Sequence, residues 1–217
     1  MPSTLRILRI VLIGLFALLT FGSAVSAQTQ VSSLADSVTG SLGVGETQWV
    51  GLAFTTDAQT YALGSVTAPV FVNTAGTLEA QLYAGTGGGD ATGSALASFG
   101  FGAITGTPAN VTFTPVSGVT LNANTQYVFV LSASDLSAWG WSAAPSGSSF
   151  TTPAGNPWTM STQATLSGDS GASWSQAAPF MPLMSVSATP VPESAAFAST
   201  LGVVALAGVV LVRRRRV

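Results

Sequence analysis

Between residues 28 and 190, apolar and polar residues alternate with a period of two in one short segment after another, and no apolar stripe of helical period interrupts them. A chain patterned this way buries one face of each segment only as β-strands, because successive side chains of a strand point to opposite faces. In the segment 77–83, Thr-Leu-Glu-Ala-Gln-Leu-Tyr, the pattern points Leu78, Ala80 and Leu82 inward and Glu79 and Gln81 outward. Segment 110–114 repeats it. In 126–131, Gln-Tyr-Val-Phe-Val-Leu, both faces are apolar, as expected of a central strand covered on both sides. Further strands are expected at 49–54, 61–66, 95–101, 139–142, 158–162 and 184–188. Gly- and Asn-containing turns separate them, among them 85–90 (Gly-Thr-Gly-Gly-Gly-Asp) and 122–124 (Asn-Ala-Asn). Short strands, frequent turns and no helices predict an all-β domain over 28–190, an antiparallel β-sandwich of jelly-roll type. The Gly-rich loop lacks the lysine and the helix that a phosphate cradle needs, and is expected to be a flexible hairpin loop.

Charge is distributed unevenly. All six basic residues are arginines, Arg6, Arg9 and Arg213 to Arg216, so residues 28–190 contain none. Their acids are Asp36, Glu46, Asp57, Glu79, Asp90, Asp135 and Asp169, a formal charge of −7 from seven carboxylates and no base. Nucleic acid is excluded as a partner on this ground, because phosphate binding requires Lys or Arg to displace condensed counterions. Cysteine and histidine are both absent. Thiolate and imidazole metal ligands, Ser-His and Cys-His nucleophiles and disulfide staples are therefore missing, and the domain must be held by its own apolar core.

The arginines mark the two ends. Arg6 and Arg9 precede an apolar stretch, 10–21, and the small residues 22–27 follow it. This is the pattern of a secretory signal, with Val25 and Ala27 at the small-residue positions of the peptidase site, so cleavage is expected after Ala27 and a mature start at Gln28. Near the other end, 195–212 is an uncharged apolar run of 18 residues. As a helix it measures about 27 Å, close to the hydrocarbon thickness of a bilayer. Arg213, Arg214, Arg215 and Arg216 follow directly, matching the cytoplasmic flank of the positive-inside rule. The expected organisation is a signal peptide (1–27), a β-sandwich ectodomain (28–190) and a sorting and anchor segment with a single transmembrane helix (191–217).

The order Val191-Pro192-Glu193, apolar helix, arginine cluster resembles the PEP-CTERM sorting signal of exopolysaccharide-producing Gram-negative bacteria. Pro192 and Glu193 match the first two positions of its motif, and Ser194 stands where the second proline usually is. Pro192 keeps the chain before the helix extended, and Glu193 stands at the positive end of the helix dipole. The resemblance implies transfer across the inner membrane, an exosortase-type protease that cuts near the motif, and delivery to the cell surface or extracellular matrix. Within 45–145, the pieces 53–56, 61–66, 81–83 before the Gly-rich loop, 111–115 and 119–127 followed by a tryptophan strand resemble the choice-of-anchor R domain. That resemblance implies a β-rich extracellular module and brings no catalytic residues.

Paired carboxylates cleave glycosidic bonds when held about 5 to 10 Å apart, but nothing in the sequence pairs these acids. Asp57, Asp90 and Asp169 lie in Gly/Ser/Thr-rich loops and Glu79 on a wet strand face, settings of solvated turn residues. No Gly-x-Ser-x-Gly nucleophile motif is present and no cofactor is expected; Asp90, Asp169 and loop carbonyls could offer calcium oxygen ligands, but no spaced Asp repeat of the EF-hand kind exists and solvated loops are expected instead. Of the five tryptophans, Trp139 and Trp141 share one strand face and are assigned to the core. Trp158 and Trp174, with polar neighbours, are the candidates for an exposed platform stacking on sugar rings. The reading is a non-catalytic, exported component of the surface or biofilm matrix, in contact with the inner membrane, a processing protease and extracellular polysaccharide. A carbohydrate-binding module is the alternative, and a glycan hydrolase the third reading.

Overall fold

A computed structural model describes residues 27–136, 138–177 and 180–192. The expected signal peptide up to residue 26, Glu193, the anchor helix and the four terminal arginines lie outside the described residues. Among the described residues no helix occurs, and none is long and apolar enough to cross a membrane.

The fold is all-β. In chain order the strands are β1 (Gln28–Ser32), β2 (Gly40–Val44), β3 (Trp49–Thr55), β4 (Tyr61–Thr74), β5 (Leu78–Gly85), β6 (Ala91–Gly100), β7 (Ala109–Pro115) and β8 (Thr120–Leu121). They continue as β9 (Gln126–Ala133), β10 (Ala138–Pro145), β11 (Thr159–Met160), β12 (Ala164–Ser167), β13 (Ser175–Ala177), β14 (Phe180–Pro182) and β15 (Ser185–Pro190). All pair antiparallel in one curled sheet, whose main path runs β1-β15-β4-β7-β6-β5-β9-β3-β12-β13. The two halves of that path meet at a short ladder between β6 and β7, of two residue pairs, Phe99 with Pro115 and Gly100 with Thr114.

Curling at this joint turns the two halves towards each other in a sandwich-like arrangement. Phe113 of β7 packs on Phe129 of β9 with ring centroids 5.3 Å apart, and Trp141 of β10 meets the same ring edge-on at 5.7 Å. Phe99 closes the cluster from β6, 5.2 Å from Phe129. Each such pair contributes about 1 kcal/mol beyond the area it buries. The Trp141 indole N–H donates to the Leu183 carbonyl at 2.8 Å, so its burial leaves no donor unpaired.

The alternating segments behave as their period dictates. In β5, Leu78, Ala80 and Leu82 are buried while Glu79 and Gln81 are half-exposed; in β7, Val111 and Phe113 are buried between exposed neighbours. All five residues from Tyr127 to Leu131 are buried. The long strand β4 departs from expectation by continuing to Thr74. It pairs β15 as far as Thr67 and β10 from Val70, and Pro69, which cannot donate to a ladder, falls between those two stretches. Gly64 is the extra residue of a bulge opposite the Ser187/Ala188 step, where a Cβ would lie 2.9 Å from that of Ala27 and 3.1 Å from the Ser187 carbonyl oxygen.

The first and last strands pair with each other. Gln28 lies opposite Ala188 and Ser32 opposite Ser185, and Val191 still donates its N–H to the Thr60 carbonyl at 2.8 Å. Because the pair is antiparallel, Ala27 and Val191 leave the ladder in the same direction.

Candidate functional site

The outward face of β3, β5 and β9 carries a second, smaller apolar cluster. Ala53, Tyr83, Ala91, Val128 and Val130 are buried there, with Trp49 and Trp174 packed partly exposed against them. Trp49 and Trp174 meet edge to face with centroids 6.4 Å apart. Among the described residues, two connections lie over this face, and polar groups pin them down.

One is the Gly-rich loop after β5. The amides of Gly87 and Gly89 both donate to Gln126 Oε1, at 2.9 and 3.0 Å, and Gln176 Nε2 donates to the Gly88 carbonyl at 2.6 Å. Asp90 at its end accepts from the Thr165 hydroxyl at 2.9 Å. The expected flexible loop is therefore a tethered one, and the two amides bonded to Gln126 are already spent on the protein's own side chain.

The other connection is the turn between β12 and β13, built around Asp169. Its Oδ1 accepts the Ser167 hydroxyl and the Ser173 amide, both at 2.8 Å, and its Oδ2 accepts the Ser173 hydroxyl at 2.6 Å. The Ser167 hydroxyl oxygen in turn accepts the Gly171 amide at 2.7 Å. These donors, Ser173 foremost, hold the Asp169 carboxyl down at about 2 although the group is exposed. Gly171 has φ +86°, and a Cβ on it would stand 2.6 Å from the Trp49 ring, so glycine is required twice over. The turn thus sets Trp174 beside Trp49. Trp49 is fixed from its own side by its indole N–H, which donates to the Glu46 carbonyl at 2.9 Å.

Within the cluster, the Tyr83 hydroxyl donates to Gln81 Oε1 at 2.6 Å; burial first, then the negative charge of Glu79, raises its pKa. Ser132 continues the outward alternation of Val128 and Val130, and its hydroxyl is buried without a hydrogen-bond partner.

The two tryptophans expected to form a sugar platform are not brought together as one. Trp158 is 1 % exposed; it stacks on Phe54 at 5.8 Å with planes 5° apart and takes the edge of Tyr61 at 4.9 Å. Its polar sequence neighbours turn away from a large ring that belongs to the core, so the assignment to an exposed platform is corrected. Its indole N–H has no hydrogen-bond partner of normal geometry, although its influence on the Tyr61 hydroxyl opposes the rise that burial and Asp57 produce there. Trp174 does reach the surface, but its aromatic companion is Trp49. Trp139 and Trp141 are buried, as assigned. Sequence reasoning missed Trp49 because it opens a strand whose following residues are largely apolar and read as core; the Ser-x-Asp-x-Gly-x-Ser-Trp spacing of 167–174, a carboxylate-centred turn followed by a tryptophan, was a signal for Trp174 alone.

The loop carboxylates bind local donors. Asp57 accepts the Gln59 amide and the Tyr61 hydroxyl, both at 2.8 Å, and Asp135 accepts the Thr77 amide at 2.9 Å. Among the described residues no group of three or more carboxylates gathers in a way that could hold a metal ion. At the ends, Ala27 and Pro192 are exposed, and Val191 is 42 % exposed.

The chain matches no protein-family model, and no curated protein matches it in sequence.

Proposed function

We propose that residues 28–190 are the exported, non-catalytic ectodomain of a surface or extracellular-matrix protein, a jelly-roll-like β-sandwich delivered by a PEP-CTERM-type segment at 191–217. The reading includes a choice-of-anchor R-like module, removal of the signal after Ala27, anchoring in the inner membrane through the apolar helix and Arg213 to Arg216, and cutting near Val191-Pro192-Glu193 by an exosortase-type protease. The observation that carries it is the pairing of β1 with β15, by which Ala27 and Val191 leave the ladder on the same side of the body. A body whose two ends leave together can stand on the membrane by that side and expose the rest. The confinement of every basic residue to the flanks supports the same orientation, since the translocated part then carries only acids.

Fractionation of native cells with intact-mass analysis tests this. The expected species begin at Gln28 and occur in the membrane, with a form lacking the tail in the medium. A full chain retaining Met1 in the cytosol contradicts it.

A second reading, carbohydrate binding, is favoured by one feature: the partly exposed Trp49 and Trp174, paired edge to face. An exposed aromatic pair on a body without basic side chains suits a neutral, hydroxyl-rich polymer. Affinity electrophoresis in the organism's own polysaccharide tests it. Retardation of the wild type that is lost in Trp174→Ala supports the reading, and unchanged wild-type mobility removes it.

A further inference from the structure

Gln28 is the first residue of β1 and is exposed, as is Ala27 before it. The residues that hold this strand to the body come later. Val31 is fully buried, and the Gln30 side chain donates to the Ala188 carbonyl at 2.9 Å and to the Gln28 carbonyl at 3.2 Å. Ser32 exchanges both backbone hydrogen bonds with Thr151, at 2.8 and 2.7 Å. Gln28 therefore sits at the free end of a firmly anchored strand, engaged through its main chain and open to solvent.

We propose that Gln28 is a modification site: once the signal is removed after Ala27, this residue cyclises to pyroglutamate. The proposal rests on the cleavage reading given above. While the Ala27–Gln28 bond is intact the nitrogen is an amide and cannot attack. After cleavage it is an α-amine with a pKa of about 7.7 to 8.0, partly neutral and nucleophilic near neutral pH. The amine nitrogen attacks Cδ of the residue's own side-chain amide and a C–N bond closes a five-membered lactam. The bond from Cδ to the amide nitrogen breaks, and that nitrogen leaves as ammonia with a proton from the amine. Nothing is oxidised or reduced and no co-reactant is consumed. Both reacting groups belong to one residue, so proximity is supplied covalently.

The product fits the fold. The residue keeps its carbonyl, so the hydrogen bond it accepts from the Gln30 side chain survives. The electrostatic consequence is larger than one terminal group suggests. Residues 28–190 contain no Lys, Arg or His, so the α-amine is the sole cationic group that cleavage gives this body. Cyclisation leaves seven carboxylates and no positive charge, and no amine for an aminopeptidase or an amine-reactive reagent to engage.

The test uses the full chain, expressed in an exporting bacterial host and recovered from the envelope, beside its Gln28→Ala variant. N-terminal peptides are analysed by mass spectrometry after labelling with an amine-reactive reagent, and a synthetic linear peptide carried through the same work-up controls for cyclisation during handling. The expected wild-type peptide begins at Gln28, is lighter than the linear form by one ammonia and carries no label, while the variant has its full linear mass and takes one label. A wild-type peptide that begins at Gln28, keeps its linear mass and is labelled overturns the proposal and leaves the cleavage reading standing. A peptide that begins anywhere else, Met1 included, overturns both.

Discussion

The two faces of β9 are both apolar, and they are covered by different means. Tyr127, Phe129 and Leu131 point into the sandwich-like interior, where the other half of the sheet supplies Phe113 and Trp141. Val128 and Val130 point outward, where cover comes from Tyr83, Ala91, Trp49 and Trp174, held down by Gln126, Asp90 and Asp169. Inside, packing is the fastening. Outside, packing depends on polar pins at loop ends. A strand apolar on both sides thus does not require a second sheet, provided side chains from neighbouring connections can close over it.

The difference is testable one residue at a time. The largest effect is expected at the inner face: Phe129→Ala removes a ring shared by three aromatic partners and should cost about 3 to 5 kcal/mol, read from denaturant unfolding. Val130→Ala on the outer face removes two methyl groups from an equally buried site and should cost about 2 kcal/mol. Equal losses from the two, each corrected for the volume removed, would erase the distinction between the faces. Gly171→Ala should cost about 1 to 2 kcal/mol by forcing a Cβ into a left-handed backbone, and should shift tryptophan emission as Trp49 is displaced; an unchanged emission maximum would show that the turn does not set this pair.

Asp169 gives a pH test of the pins. Its pKa is lowered in the fold from 3.8 to about 2, so its contribution is present above about pH 4 and is lost as pH falls towards 2. Asp169→Asn should flatten that part of the thermal-stability profile and leave the profile above pH 5 parallel to the wild type. The smallest effect, of opposite sign, is expected from Ser132→Ala. A buried hydroxyl with no partner is removed, so stability should be unchanged or rise by about 1 kcal/mol or less.

Much of the architecture was legible because inner-face residues obey a period of two. Leu78, Ala80, Leu82, Val111 and Phe113 could be placed from alternation alone, and the doubly apolar run around Phe129 marked a central strand. The missed strands lack that signal. β1 and β2, Gln-Thr-Gln-Val-Ser and Gly-Ser-Leu-Gly-Val, offer few apolar residues and are held by partners distant in sequence, β15 and β10. The second half of β4 was hidden by Pro69, which reads as a strand breaker and is tolerated where the strand exchanges partners. The tryptophans failed differently. Polar neighbours described the local chain around Trp158 correctly and said nothing of Phe54 and Tyr61, which enclose its ring from more than ninety positions away. The Gly-rich loop was read as flexible because its restraints, Gln126 and Gln176, are also remote in sequence.

The central claim, that the chain's body folds beyond the inner membrane with its ends fastened together, can be tested with a single pair of cysteines, since the chain has none of its own. Thr29 and Ser187 are direct partners across β1 and β15, and antiparallel partners lie within disulfide reach. In the doubly substituted protein, Thr29→Cys with Ser187→Cys, expressed in growing cells and trapped without added oxidant, the account predicts a disulfide formed in the oxidising compartment outside the cytosol. Two free thiols, labelled only by a reagent that crosses the inner membrane, would contradict it.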